Sequence, residues 1–258
     1  MNFRKSTFLT FVDSIVAAFF ALFVAKILID RYGENIYGTW VYMQSVAAIL
    51  LMIISMGTGS VFKRETAAGI ISFESAISYT ILSKVLFLPI IIAVGLIMKV
   101  DFFLLFYFLI VGIFYQFSSL LLSVEKALLQ LVYNFVFRLG ILLIILFVLR
   151  RFLFNALFYY SLIVIILIFF FYRTKYVTLR KLTRYWQVGL PLLLANGAEF
   201  LLLKSDQVIL GWFKFNSDLA LYGLILQLVL FFVMLPLAAF KVLLVSIRKD
   251  NKKIDEYV

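Results

Sequence analysis

Residues 127–149 read ALLQLVYNFVFRLGILLIILFVL. As a helix these 23 residues reach about 35 Å, enough to cross a hydrocarbon core of about 30 Å. Arg138 nevertheless stands near their middle, with Asn134 and Gln130 one and two helical turns before it, so the three polar side chains share one face. A charge at the bilayer centre costs roughly 2.5–3.5 kcal/mol on insertion scales. That face must therefore turn towards other helices or a polar cavity, and the helix needs partners that also cross the membrane.

The rest of the chain supplies them. Apolar runs of comparable length predict eight spans, at 8–29, 37–62, 76–98, 101–124, 127–149, 152–172, 186–213 and 218–247. Pro89 and Pro236 fall inside the third and eighth, where a lost N–H and a ring clash should bend the helix, and Pro191 sits in the first turns of the seventh. The opening Met1–Lys5 with its apolar run reads as part of the first span. It is too long for a secretory signal, and Asp13 interrupts it.

Composition agrees with an all-α polytopic membrane protein. The chain of 258 residues is 65% hydrophobic and 14% charged, with a mean hydropathy of +1.11. Ordinary globular proteins carry about 25% charged residues. The sequence holds no Cys and no His. Disulfides, thiolate nucleophiles and Cys-ligated metals are thereby excluded, and the commonest neutral-pH acid/base and transition-metal ligand is missing. No cofactor or metal site is expected, and the chain does not read as an enzyme.

Charge sets the expected orientation. If the amino terminus is cytoplasmic, the inner segments hold fourteen cations, among them Arg4, Lys5, Lys63, Arg64, Lys126 and those of residues 173–184 and 248–253. The outer segments hold five: Arg31, Lys99, Arg150, Arg151 and Lys214. The positive-inside rule then places both termini in the cytoplasm, in a cell inner membrane. The net charge of +11 is largely topology, and no basic stretch has the context of a nucleic-acid footprint.

A repeat is visible within the spans. Tyr37-Gly38 opens the second and Lys63-Arg64-Glu65 closes it; Tyr222-Gly223 opens the eighth and Arg248-Lys249-Asp250 closes it. The spacing within each pair is 26 residues and the offset between the copies is 185. An offset of six helices preserves orientation, as in a parallel repeat. The organisation expected is a six-helix first lobe over 1–172, a basic cytoplasmic linker over 173–185, the first two helices of a second lobe over 186–247, and a tail over 248–258. The linker, with Val177, Leu179 and Leu182 among its cations, suits either a helix lying on an anionic leaflet or a solvated connection that only fixes topology.

The polar residues inside the spans are the candidate site. Arg138, Lys84, Asn134, Gln130, Gln44 and Asn196 are candidates for substrate binding, and Glu199, Asp13 and Asp206 for ion coupling. A guanidinium with five donors suits phosphate or carboxylate, and a poorly solvated carboxylate could take up and release a proton. The competing reading is that they pair with one another as helix–helix glue, Arg138 with Asp13 or Glu199 for instance. Lys26, Lys204 and Lys241 lie close enough to helix ends to reach the interface.

Tyr37-Gly38-Thr39-Trp40 opening the second span and Gly57-Thr58-Gly59 before Lys63-Arg64 resemble the first unit of polysaccharide and O-antigen flippases. These belong to the multidrug/oligosaccharidyl-lipid/polysaccharide exporter superfamily. Gly189-Leu190-Pro191, Asp206-Gln207-Val208-Ile209-Leu210-Gly211 and Leu221-Tyr222-Gly223 resemble the entry to that family's second unit. The resemblance implies a carrier of twelve or more helices that moves a polyprenyl-diphosphate-linked oligosaccharide between leaflets by alternating access. Arg138 and Lys84 would neutralise diphosphate and sugar acids, and amides would meet sugar hydroxyls. The bilayer and the lipid-linked oligosaccharide are the implied partners, with a polysaccharide polymerase as a possible third. Ending after eight spans departs from that pattern, and the expectation is a truncated product or gene fragment.

Two other functions fit less well. A membrane glycosyltransferase or polysaccharide polymerase would need a substantial outer loop bearing catalytic groups, whereas the outer loops here carry only Asp30, Glu34 and Asp101 as acids. A non-transporting scaffold or vestigial chain of a polysaccharide locus is the third reading.

Overall fold

A computed structural model describes residues 3–98, 101–124, 126–172, 178–213, 215–229 and 231–233; within these, the side chains of residues 3–7, 169, 180, 196, 199, 200, 202 and 203 stand outside the description. The described residues form helices α1 (Phe3–Tyr32), α2 (Glu34–Ser55), α3 (Thr58–Ala67), α4 (Phe73–Leu86), α5 (Leu88–Ile97), α6 (Phe102–Ser123), α7 (Ala127–Phe147), α8 (Leu153–Phe171) and α9 (Leu179–Trp212). A further helix, α10, covers Asn216–Val233. No strand occurs among the described residues. The chain is an all-α, membrane-embedded protein. Among the described residues six helices are long and apolar enough to cross a bilayer, or seven if the bent pair α4–α5 is one span; α9, which holds the expected seventh span 186–213, is not one of them.

Two of the other expected spans are broken. The run 37–62 stops at Ser55, because Met56 (φ 44°) and Gly57 (φ 70°) are both left-handed. A left-handed pair ends an α-helix, and glycine bears that conformation without a Cβ penalty. Thr58 then donates its hydroxyl to the Ser55 carbonyl at 2.6 Å as α3 begins. The run 76–98 breaks at Phe87, just before Leu88-Pro89, and bends by 43°. Pro89 stands in the first turn of α5, where its missing N–H leaves no bond unmade.

α9 runs 34 residues, about 51 Å at the helical rise, and so exceeds the hydrocarbon thickness. Leu179–Tyr185 of the expected linker form its first turns, while 173–177 lie outside the described residues, as do 248–258 and the end of the expected eighth span. Pro191 lies inside α9.

α6 is the axis of the packing. It touches α2, α3, α4, α7 and α8, and it is apolar nearly all round, as a helix enclosed by others should be. Asp101 caps it, accepting from the Leu104 N–H at 2.9 Å. Against this axis α2 packs with α1 and α9. Gly57 of the α2–α3 break meets Gly189 near the start of α9, while Tyr42 meets Gly211 near its end. α9 is therefore antiparallel to α2. α10 starts beside the start of α2, with Asn216 against Gly38 and Gly223 against Val41, and so runs parallel to it.

Candidate functional site

The polar residues gather on two sides of α6. On one side Asp13 of α1 accepts from Arg138 Nη1 at 2.6 Å and from Asn134 Nδ2 at 2.7 Å. Ser118 of α6 donates to Asn134 Oδ1 at 2.7 Å and closes the network. The expected stripe on α7 is real: Gln130, Asn134 and Arg138 are all buried. Arg138 also lies 5.9 Å from the centre of the Tyr115 ring. Its guanidinium is thus matched by a carboxylate, an arrangement that leaves neither charge unpaired in a poorly solvated place.

The other side carries Lys84. Its ammonium donates to Ser55 Oγ at 2.8 Å, and Gln116 Nε2 donates to the same oxygen at 2.9 Å. Lys84 is buried, and no carboxylate stands within ion-pair distance of it among the described residues. Gln116 and Ser118 are two positions apart on α6, which turns them about 200° from one another. Lys84 and Arg138 consequently stand on different faces of α6.

Two pairs of chambers follow these faces. The first pair comprises a chamber of about 230 Å³ among α1, α2, α9 and α10, bordered by Gln44, Lys204, Gln207 and Gln227, and one of about 160 Å³ among α1, α2, α6, α7 and α10, bordered by Tyr37, Trp40, Gln44, Tyr115, Arg138 and Gln227. Gln44, Gln227, Ala17 and Ala21 border both. Gln207 is held by the Ser45 hydroxyl and by Lys204 Nζ at 2.9 Å. The second pair lies at the α2–α3 break. It comprises a chamber of about 430 Å³ bordered by Ser55, Gly57, Gly59, Ser60, Gln116 and Leu193, and one of about 160 Å³ that shares Gly59, Ser60 and Gln116 with it and adds Lys63.

Asp206 is exposed and accepts from the Tyr222 hydroxyl at 3.1 Å. The side chains of Asn196 and Glu199 lie outside the described residues. Sequence reasoning passed over Gln116, Ser118 and Gln227. Their signal was an amide or hydroxyl within an otherwise apolar run, the same signal that singled out Gln44. Among the described residues no group of His, Cys, Asp and Glu side chains could hold a metal ion. No protein-family model, no curated protein and no solved structure matches the chain.

Proposed function

We propose that the chain belongs to a membrane transporter that moves lipid-linked oligosaccharide from the inner to the outer leaflet for surface polysaccharide synthesis. The observation that carries this reading is the set of chambers within the bundle, mostly apolar in lining but bordered by Gln44, Gln207, Gln227, Lys204 and Arg138. Amides in a membrane interior match sugar hydroxyls, because each side chain both donates and accepts. A purely structural bundle has no need of cavities, and intramembrane polar residues mark substrate pathways more often than they mark lipid contacts.

On this reading the chain crosses the bilayer eight times with both termini cytoplasmic, and α9 and α10 begin a second lobe that repeats α1 and α2 without inversion. The directions of α9 and α10 relative to α2 support that repeat. Asp13, Asp206 and Glu199 are its candidate ion-coupling carboxylates, and Asp13 accepts from both Arg138 and Asn134. The test is a leaflet-resolved assay of lipid-linked oligosaccharide in cells with and without the chain. Accumulation of substrate on the cytoplasmic leaflet when the chain is removed is expected; an unchanged distribution would discard the transporter reading.

A further inference from the structure

Gln44 stands at the middle of α2, is exposed, and meets no hydrogen-bonding partner among the described residues. It borders both the 230 Å³ and the 160 Å³ chamber. An amide left unmatched at mid-bilayer is costly, so water or a ligand must meet it there.

Lys204 borders the larger of the two chambers. It precedes the end of α9 at Trp212 by eight residues, about 12 Å along the axis. Its ammonium donates to Gln207 Oε1 at 2.9 Å, and the same oxygen accepts from the Ser45 hydroxyl, which fills both of its lone pairs. The remaining N–H bonds of Lys204 are left for another acceptor. No acid borders this chamber among the described residues, and no carboxylate stands within ion-pair distance of Lys204. Asp13 is taken by Arg138 and Asn134, and exposed Asp206 accepts from Tyr222. Glu34 and Asp218 sit in the first turns of α2 and α10, more than two turns from Gln44 and Gln227.

We propose that this chamber is a site for one small organic monoanion, of which a short-chain carboxylate is the simplest, with its head on Lys204 and Gln44. The site occupies the space on which the transport reading rests, yet it depends on charge and donors alone. An ammonium in a poorly solvated place needs a counter-charge, and the chain provides none beside Lys204. One negative charge neutralises it; a second would stand unmatched. The walls decide the rest. Ala17, Ala21, Leu226 and Phe231 are apolar, and 230 Å³ equals roughly seven waters. That is room for a carboxylate and a few carbons, more than a halide fills.

The test uses the full chain in nanodiscs of uncharged lipid with Ala18→Cys, since Ala18 borders this chamber and not its neighbour, and the sequence has no other cysteine. N-ethylmaleimide should label it, and butyrate should slow the labelling several-fold. Butyramide has the same shape without the charge and should not protect; succinate and, at equal ionic strength, chloride should protect less than butyrate. Ser60→Cys, in the other pair of chambers, should be indifferent to all four. Adding Lys204→Gln should abolish protection by butyrate while leaving the thermal midpoint of the free protein unchanged or higher, because no ion pair is lost, and Lys204→Arg should keep the protection. An unreactive Ala18→Cys, equal protection by butyramide or chloride, or undiminished protection in Lys204→Gln would each overturn the site. So would slowing by phosphatidylglycerol in the nanodisc but not by butyrate, which would make the anion a lipid headgroup. Protection by butyrate with an unchanged leaflet distribution in cells would keep the site and remove the transport reading, and a changed distribution without protection would do the reverse.

Discussion

Gly57 and Gly189 meet backbone to backbone. A Cβ on Gly57 would overlap the Gly189 carbonyl, and a Cβ on Gly189 would overlap the Met56 carbonyl. The break that ends α2 is therefore locked to α9 by two residues without side chains, and the 430 Å³ chamber opens beside that contact, bordered by Gly57, Leu192 and Leu193.

Because the obstructing atoms are backbone, they cannot swing aside as a side-chain tip would. Gly189→Ala should destabilise the chain by about 1–3 kcal/mol, the range for overpacking. Gly57→Ala should cost more, since its φ of 70° adds left-handed strain to the overlap. Gly59→Ala meets nothing within 4 Å and should be neutral or stabilising by up to about 1 kcal/mol through helix propensity. Thermal unfolding of the three purified variants in one detergent checks the order; equal midpoints for Gly189→Ala and Gly59→Ala would contradict the contact.

Tyr32, the last residue of α1, donates its hydroxyl to the terminal carbonyls of α7, 2.6 Å from Ile145 O and 2.8 Å from Val148 O. The carbonyls at a helix end have no partner within the helix, and this side chain supplies one from a neighbour. Tyr32→Phe should lower stability by about 1–3 kcal/mol, the cost of leaving a buried acceptor unmet. Hydrogen exchange should show the loss first in the last turn of α7, and uniform exchange along α7 would argue against a local role.

Much of this arrangement follows from residue order. A 3.6-residue period aligned Gln130, Asn134 and Arg138, and burial on one face is where the structure puts them. The pairing of Arg138 with Asp13 was one of two alternatives, and only geometry separates an ion pair from a cavity-facing cation. The break at Met56-Gly57 escaped because hydropathy runs on across it: Met56, Val61 and Phe62 keep the apolar average high, while the signal lies in two backbone torsions. The placement of Lys84 escaped for a different reason. Its partners Ser55 and Gln116 come from α2 and α6, and no period within α4 encodes which neighbour a side chain meets.

Orientation is open to direct chemistry, since the sequence has no cysteine. Thr178, which precedes α9, and Ser217, in the first turn of α10 just past the other end of α9, are both exposed. In intact cells Thr178→Cys should resist a membrane-impermeant thiol reagent and Ser217→Cys should react, as fourteen inner cations against five require. Labelling of Thr178→Cys from outside would reverse the topology.

The Asp13–Arg138 pair separates architecture from transport. Its side chains are 13% and 6% exposed, so removing one partner leaves the other charge buried and unmatched. Asp13→Ala or Arg138→Ala alone should each cost on the order of 3–5 kcal/mol, while the double variant should cost clearly less than their sum. Arg138→Lys should recover part of the loss, keeping the charge but giving up the planar donor set that aligns with Asp13 while Asn134 binds the other carboxylate oxygen. Unfolding midpoints of the four proteins and the wild type close the cycle. Additive losses would mean that the pair contributes no coupling. If transport in a complete carrier followed the same order as stability, the role of Arg138 would be to hold α7 against α1; loss of transport in a stable Arg138→Lys variant would instead put the guanidinium in contact with the substrate.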